Sequence, residues 1–216
     1  MLKLFYAPNA CSLAPHIALN EAGADYEAIK VDTMKGEQRS AAYLSVNPKA
    51  RVPSLVTDEG TLTEVPVLLA YIARIFPKAE LAPMAWKTPT DQFGFFEMQS
   101  FNTYLASTIH ITYAHIFRPE RYADTDAAKA EMRAKAPKVL REQLQLVEDR
   151  FTDGREWVHG DKYTVSDPYL YVFSRWLERD GIGGSEGLPK LVAHRARVQA
   201  REAVKKTLEQ EGLKPV

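Results

Sequence analysis

The spacing of apolar and polar positions changes character near residue 80. Before that point, short apolar runs are broken by proline and turn residues. Leu2-Lys3-Leu4-Phe5-Tyr6 alternates as a strand does. A loop with Pro8 and Asn9 follows. Ser12 to Ala22 then reads as a helix, with Pro15 in its first turn and Gly23 just past its end. Tyr26 to Val31 is a second strand and Ser40 to Ser45 a short helical piece. Val52 to Val56 is a third strand, Asp58-Glu59-Gly60 a hairpin turn, and Thr61-Leu62 a fourth strand. Val65 to Ile75 is a further helix, with Val65, Leu68, Leu69 and Ile72 on one face. The predicted order is β-α-β-α-β-β-α.

From Asp91 onward the strand signals stop, and no glycine occurs between Gly94 and Gly154. Met98, Phe101, Leu105, Ile109 and Ile116 follow spacings of three, four, four and seven, the stripe of a core-facing helix. Ala127 to Phe151 is a second long helix, with Val139, Leu140, Leu144 and Val147 inward and Pro137 expected to kink it. Shorter helices are predicted near 165–180, 189–200 and 202–211. Thr164 and Asp167 have the spacing of a capping box ahead of the apolar run Tyr169 to Phe173, a folding signal rather than a chemical one. The expected organisation is an α/β domain over 1–80, a linker over 81–90 within the proline-rich stretch 76–90, and an all-helical domain over 91–216.

Composition then narrows the function. The 216 residues carry 28 basic and 28 acidic side chains, and the balance persists on division: 8 against 9 over 1–82, and 20 against 19 over 83–216. Nucleic acid is therefore not an expected partner. No apolar stretch approaches the roughly 18–20 residues of a membrane span, so no membrane partner is expected. The N-terminal residues lack a secretion signal's apolar core. A single cysteine permits no internal disulfide, and the chain reads as cytoplasmic. No Cys/His spacing suits a metal.

Four places can carry chemistry. Cys11 lies between a strand and a helix start, where backbone N–H groups and the helix dipole favour a thiolate; it also fits a small buried hydrophobe. Position 14 is Ala, so dithiol chemistry within the chain is excluded. Val52-Pro53 places a proline at a strand start. A cis bond there would turn the Val52 backbone toward an extended ligand, whereas a trans bond would simply open an edge strand. Glu64 sits at a strand-to-helix junction, available to a ligand or to its own helix dipole. His110 is turned about 100° from the apolar stripe and shares a small polar face with Thr103, Ser107 and Ala114, either as a cleft wall or as a surface or core histidine with no role.

Together these residues resemble the glutathione transferases, most of all the bacterial beta class. The resemblance is carried by Phe5-Tyr6-Ala7-Pro8-Asn9-Ala10-Cys11-Ser12-Leu13-Ala14-Pro15-His16, by Asn47-Pro48-Lys49-Ala50-Arg51-Val52-Pro53-Ser54-Leu55, and by Leu62-Thr63-Glu64. It continues in His110 with Phe117-Arg118-Pro119, and in the segment from Trp157 to Asp167. It implies a thioredoxin-like first domain, an all-α second domain and a homodimer. Glutathione is the implied co-substrate, with no metal. The Val52 backbone, beside a cis Pro53, would pair with its cysteinyl group and Glu64 with its α-amino group. The Val65 N–H would meet the γ-glutamyl carboxylate, and Lys35 and Arg51 the glycine end. Cys11 and His110 would face the sulfur from opposite domains. Tyr6, Ser107, Tyr113 and Ala114 would line the electrophile pocket.

This chain has Val65 where many relatives have Ser or Gly, Arg51 where Gln is common, and Thr103 where Asn is frequent. The implied activity is conjugation of glutathione to small hydrophobic electrophiles. Thiol–disulfide exchange through Cys11 is a second possibility, and a glutathione or hydrophobic-ligand binding module without turnover is a third.

Overall fold

A computed structural model describes residues 1–83, 89–179 and 182–216, with the side chains of 89–91 left aside. Four strands, β1 (Leu2–Tyr6), β2 (Tyr26–Lys30), β3 (Ser54–Thr57) and β4 (Gly60–Thr63), form one sheet in the order β2-β1-β3-β4. β1 runs parallel to β2 and antiparallel to β3, and β3 antiparallel to β4. The β1–β2 crossover carries α1 (Leu13–Glu21), as a parallel pair requires. Helices α2 (Ala41–Leu44) and α3 (Val65–Ile75) complete this part. Ser40 caps α2 by accepting a bond from the Tyr43 N–H.

The rest is helical: α4 (Pro89–Tyr104), α5 (His110–Phe117), α6 (Asp126–Arg150), α7 (Ser166–Trp176), α8 (Pro189–Gln199) and α9 (Glu202–Glu211). This is the expected α/β plus all-α architecture. The helix expected from Asp91 begins at Pro89, a proline in the first turn where its missing N–H costs little. Of the expected linker, residues 84–88 lie outside the described residues. Leu81 is buried, and its carbonyl accepts a bond from the Val165 N–H.

Two helices are buried on every side. Residues 13–19 of α1 are all buried, because the sheet lies on one side and α7 and α9 on the other. Every residue of α7 is buried as well. Helices without a polar face belong in the centre of a structure, and these two join the sheet to the helical part in one apolar core. Asp167 ties the start of α7 down. Its carboxylate accepts bonds from the N–H groups of Thr164 (2.7 Å) and Val158 (2.9 Å), and it pairs with buried His194 (2.9 Å). The capping spacing is therefore real, and the Asp167 carboxylate serves three elements.

One local feature departs from the sequence reading. The stripe from Met98 to Ile116 is buried as expected, but the helix is not uniform. Leu105–Ile109 is a π-helical turn between α4 and α5, and the His110 N–H reaches back five residues to Leu105. The extra residue resets the side-chain register at His110. Thr103 and Ser107 stay exposed, whereas His110 turns inward between the rings of Phe173 (5.5 Å) and Trp176 (5.4 Å). The continuous small polar face expected through Thr103, Ser107, His110 and Ala114 is broken there.

Candidate active site

The loop after β1 is closed by Ser12. Its hydroxyl donates to the Ala7 carbonyl and accepts from the Ala7 N–H, both at 3.1 Å. Asn9 takes a left-handed conformation (φ 56°) at the bend. Two distant side chains hold it: Glu211 of α9 accepts its N–H (3.0 Å), and the Trp176 indole N–H donates to its carbonyl (3.0 Å). Glu211 also pairs with His16 at 2.8 Å, both side chains fully buried. Cys11, two residues beyond Asn9, is fixed by elements on both sides of the molecule.

Cys11 points across the sheet end, with its S–H donating to the Val52 carbonyl at 3.6 Å. The Val52–Pro53 bond is cis. Tyr43 and Asn47 steady this segment by donating to the Arg51 carbonyl at 2.7 and 2.6 Å. The thiolate expectation does not hold. Burial pushes the Cys11 thiol up to about 12, and Glu64 adds to the rise. The backbone N–H groups of Cys11 and Ser12 and the charge of Arg51 oppose it but do not win. A thiol 8% exposed loses more hydration than these dipoles return.

Glu64 takes φ 72° at the β4–α3 junction and presents its carboxylate outward. There it is met by Lys49, whose ammonium donates to Glu64 Oε1 (2.7 Å) and Thr63 Oγ1 (2.9 Å). At the start of α3 the N–H groups of Val67 and Leu68 both go to the Glu64 carbonyl, and Pro66 has none. The Val65 N–H is the first-turn donor that the helix itself does not use. Lys49 was not among the sequence candidates, and its pairing with Glu64 follows only from the path of the chain.

His110 stands on the helical side. Burial holds its imidazole down at about 4, and the charges of Arg51 and Arg121 press it further in the same direction. Tyr169, also absent from the sequence candidates, lies close enough to Cys11 and Glu64 that their charges add to the burial that raises its phenol. Trp176 and Glu211 were missed too. Trp176 had one sequence signal, as an aromatic ending the helix that carries the apolar run Tyr169 to Phe173.

Two other candidates sit elsewhere, and a third faces solvent. Tyr6 is 7% exposed with its ring 4.9 Å from His16, so it faces the core between sheet and α1 instead of the electrophile pocket. Tyr113 is 1% exposed and its hydroxyl donates to the Phe173 carbonyl (2.8 Å), which makes it a satisfied core residue. In both, the resemblance implied a pocket role, and it does not say what packs around the ring in this chain. Lys35 is exposed and pairs with Asp32 in its own turn (3.6 Å). Among the described residues, no group of three or more His, Cys, Asp or Glu is arranged to hold a metal ion.

Comparison with known proteins agrees with this geometry. Residues 1–74 match the family model "Glutathione S-transferase, N-terminal domain", and residues 104–202 match "Glutathione S-transferase, C-terminal domain". The chain is 34% identical over 215 residues to Glutathione S-transferase GstA of Escherichia coli O157:H7, covering 99% of this chain and 100% of that protein. A glutathione transferase homologue from Sulfitobacter, solved with bound glutathione, superposes with a TM-score of 0.88 at 35% identity over 99% of both chains. The beta class enzyme of Sphingomonas chungbukensis superposes with a TM-score of 0.84 at 35% identity, covering 98% of this chain and 100% of that one. The strand-end cysteine, the cis bond, the Glu64 junction and the helical domain thus belong together: the chain is a member of the glutathione S-transferase family.

Proposed function

We propose that this protein conjugates glutathione to small electrophiles, using the cleft between the sheet end and α5. The observation that carries this reading is the approach of Cys11 Sγ to the Val52 carbonyl at 3.6 Å, at one end of a surface that ends on Glu64. The extended tripeptide lies along that surface. Val52 meets its backbone, Glu64 its α-ammonium and the Val65 N–H its γ-glutamyl carboxylate, while Arg51 and Lys35 serve the glycine carboxylate. Cys11 enters as a neutral thiol. It donates an S–H hydrogen bond to the glutathione sulfur and so lowers the energy of the thiolate formed there. Neutral His110 faces the same sulfur from the helical side. Ser107 and Ala114 remain as pocket wall on the α4–α5 side.

A thiol held near 12 is a poor nucleophile at neutral pH, which favours conjugation over disulfide exchange. The two are separated by assaying Cys11→Ala for aryl-halide conjugation and for mixed-disulfide reduction. Conjugation should survive at reduced rate. A protein that neither binds nor turns over glutathione would sink the assignment, and binding without turnover would leave the ligand-binding module.

The division at 81–90 between a glutathione-binding and an electrophile-binding domain is part of the proposal, as are a cytoplasmic setting and a homodimer. The dimer reading is supported by a groove of ≈ 500 Å³ lined by exposed Val67 with Leu62, Ala70 and Tyr71 among others, and by exposed Phe96, whose ring lies 5.9 Å from Phe95 of the same groove. None of Cys11, Val52, Glu64 or His110 lines that groove. An apolar patch of this kind marks a contact surface. Phe96→Glu should shift the light-scattering mass to that of one chain.

A further inference from the structure

Beyond His110 the rim of the cleft carries arginines that make no ion pair among the described residues. Arg118 and Arg121 follow α5, Arg179 follows α7, and Arg51 precedes the Val52–Pro53 bond on the sheet side. All four are exposed. Elsewhere in the molecule arginines hold carboxylates: Arg150 with Glu97, Arg155 with Asp153, Arg195 with Glu178 and Arg201 with Glu21. Among the described residues, none of the four rim arginines is in such a pair.

They are also close to one another: Phe117, whose ring seats Arg179, directly precedes Arg118, and the Arg121 N–H donates to the Arg118 carbonyl at 3.0 Å. Arg51 and Arg118 both disfavour the charge on Arg121, Arg118 does the same to Arg179, and Arg51 and Arg121 act on His110. The nearest compensating groups, Glu120 beside Arg121 and Glu64 across the cleft, offset this only in part. One of the guanidinium groups has a fixed seat: that of Arg179 lies 3.9 Å over the Phe117 ring, and Phe117 stacks on Tyr113 at 6.0 Å. A guanidinium held by its face keeps its N–H edge for an acceptor. In a chain of zero net charge, arginines converging from three separate segments form a local positive field at one mouth.

We propose that Arg118, Arg121 and Arg179 form an anion subsite, so that the second substrate is a small electrophile bearing a carboxylate or a comparable anionic group. The inference rests on the glutathione-conjugating reading and names its substrate class. The arginines of the helical side lie beyond His110, whereas the groups assigned to glutathione's own charges lie on the sheet side. In the reaction the glutathione sulfur forms a C–S bond at the electrophilic carbon. The carbon–halide bond breaks, the halide leaves with the bonding pair, and the thiol proton passes to solvent. The anionic substituent is unchanged and serves to orient the ring.

The test compares 4-chloro-3,5-dinitrobenzoate with its methyl ester, which differ in one charge. Each kcat/KM is divided by that compound's uncatalysed rate with glutathione. The acid should be preferred by about tenfold, the worth of one charge-assisted hydrogen bond, and the preference should shrink as salt is raised. Arg121→Gln and Arg179→Gln should each cut the ratio several-fold, with Arg179→Lys retaining part of it. Calorimetry with the two glutathione conjugates supplies a readout that needs no turnover. Equal affinity for the two conjugates, or a ratio untouched by the Gln variants while the KM for glutathione rises, would overturn the anion subsite. Failure of glutathione and both conjugates to bind would overturn the glutathione reading itself, and the subsite with it.

Discussion

On the sheet side of the cleft, Cys11, Val52 and Glu64 are placed by the backbone. A left-handed bend at Asn9, a cis bond before Pro53 and a positive φ at Glu64 aim them, and hydrogen bonds to main-chain groups hold them. On the helical side, His110 is placed by aromatic packing between Phe173 and Trp176 and by a π turn that rotates it inward. The first wall presents backbone groups, so that the Val65 N–H is available whatever the side chain at that position. The second depends on ring volume, and truncation there removes its support. Trp176 is the one side chain that serves both, through its rings on one side and its N–H to Asn9 on the other.

The sharpest way to break this contrast is therefore Trp176→Ala. Loss of a buried indole should cost about 3–5 kcal/mol, read from chemical denaturation, while Trp176→Phe should cost about 1 kcal/mol for the lost hydrogen bond. Equal costs would mean that the indole N–H, not the ring, secures the helical wall.

Cys11 tests the sheet wall. With its thiol near 12, carbamidomethylation at neutral pH should run about a thousandfold slower than for free cysteine and climb about tenfold per pH unit. The folded state favours the neutral thiol. The stability it contributes is therefore present below the ordinary cysteine range and is lost as pH rises toward 12. A fast reaction at pH 7 would restore the thiolate reading.

His110 makes the opposite prediction. Its folded value, about 4, lies below the usual 6.5. The stabilisation by the neutral ring is thus complete above 6.5 and declines as pH falls through 4. In NMR its ring signals should titrate near 4, and His110→Phe should flatten the corresponding part of the stability profile relative to the parent.

The smallest effect is expected at Lys49. Lys49 and Glu64 are both half-exposed, so their pair adds little stability. Its ammonium does occupy the carboxylate assigned to the α-ammonium of glutathione. Lys49→Met should tighten glutathione binding by about two- to fourfold in calorimetry, and weaker binding would show that Lys49 itself holds the ligand.

Much of this was legible from the chain. Pro15, Gly23, Pro53 and the Asp58-Glu59-Gly60 turn punctuate the first domain because their backbone preferences are local. The Thr164–Asp167 spacing is local as well, and Asp167 makes the bond it implies. Tyr6 and Tyr113 were assigned to the pocket from the resemblance, and their burial depends on packing that a motif does not record. The face that His110 shares was misread because a π turn leaves no mark in a spacing rule. Trp176, Tyr169, Glu211 and Lys49 reach the site from other parts of the sequence, and no local pattern names them.

The sequence by itself determined where the strands, turns and helices lie, that one thiol stands at a strand end, and that the charges cancel. Short-range sterics and periodicity set these. The tertiary structure alone decided that Cys11 is neutral, that His110 faces rings instead of small polar neighbours, and that Arg51, Arg118, Arg121 and Arg179 make no ion pair among the described residues. Desolvation and Coulomb interactions depend on what surrounds a group in space, and residues as far apart in the chain as Cys11, Val52, Tyr169 and Glu211 are brought together only by folding.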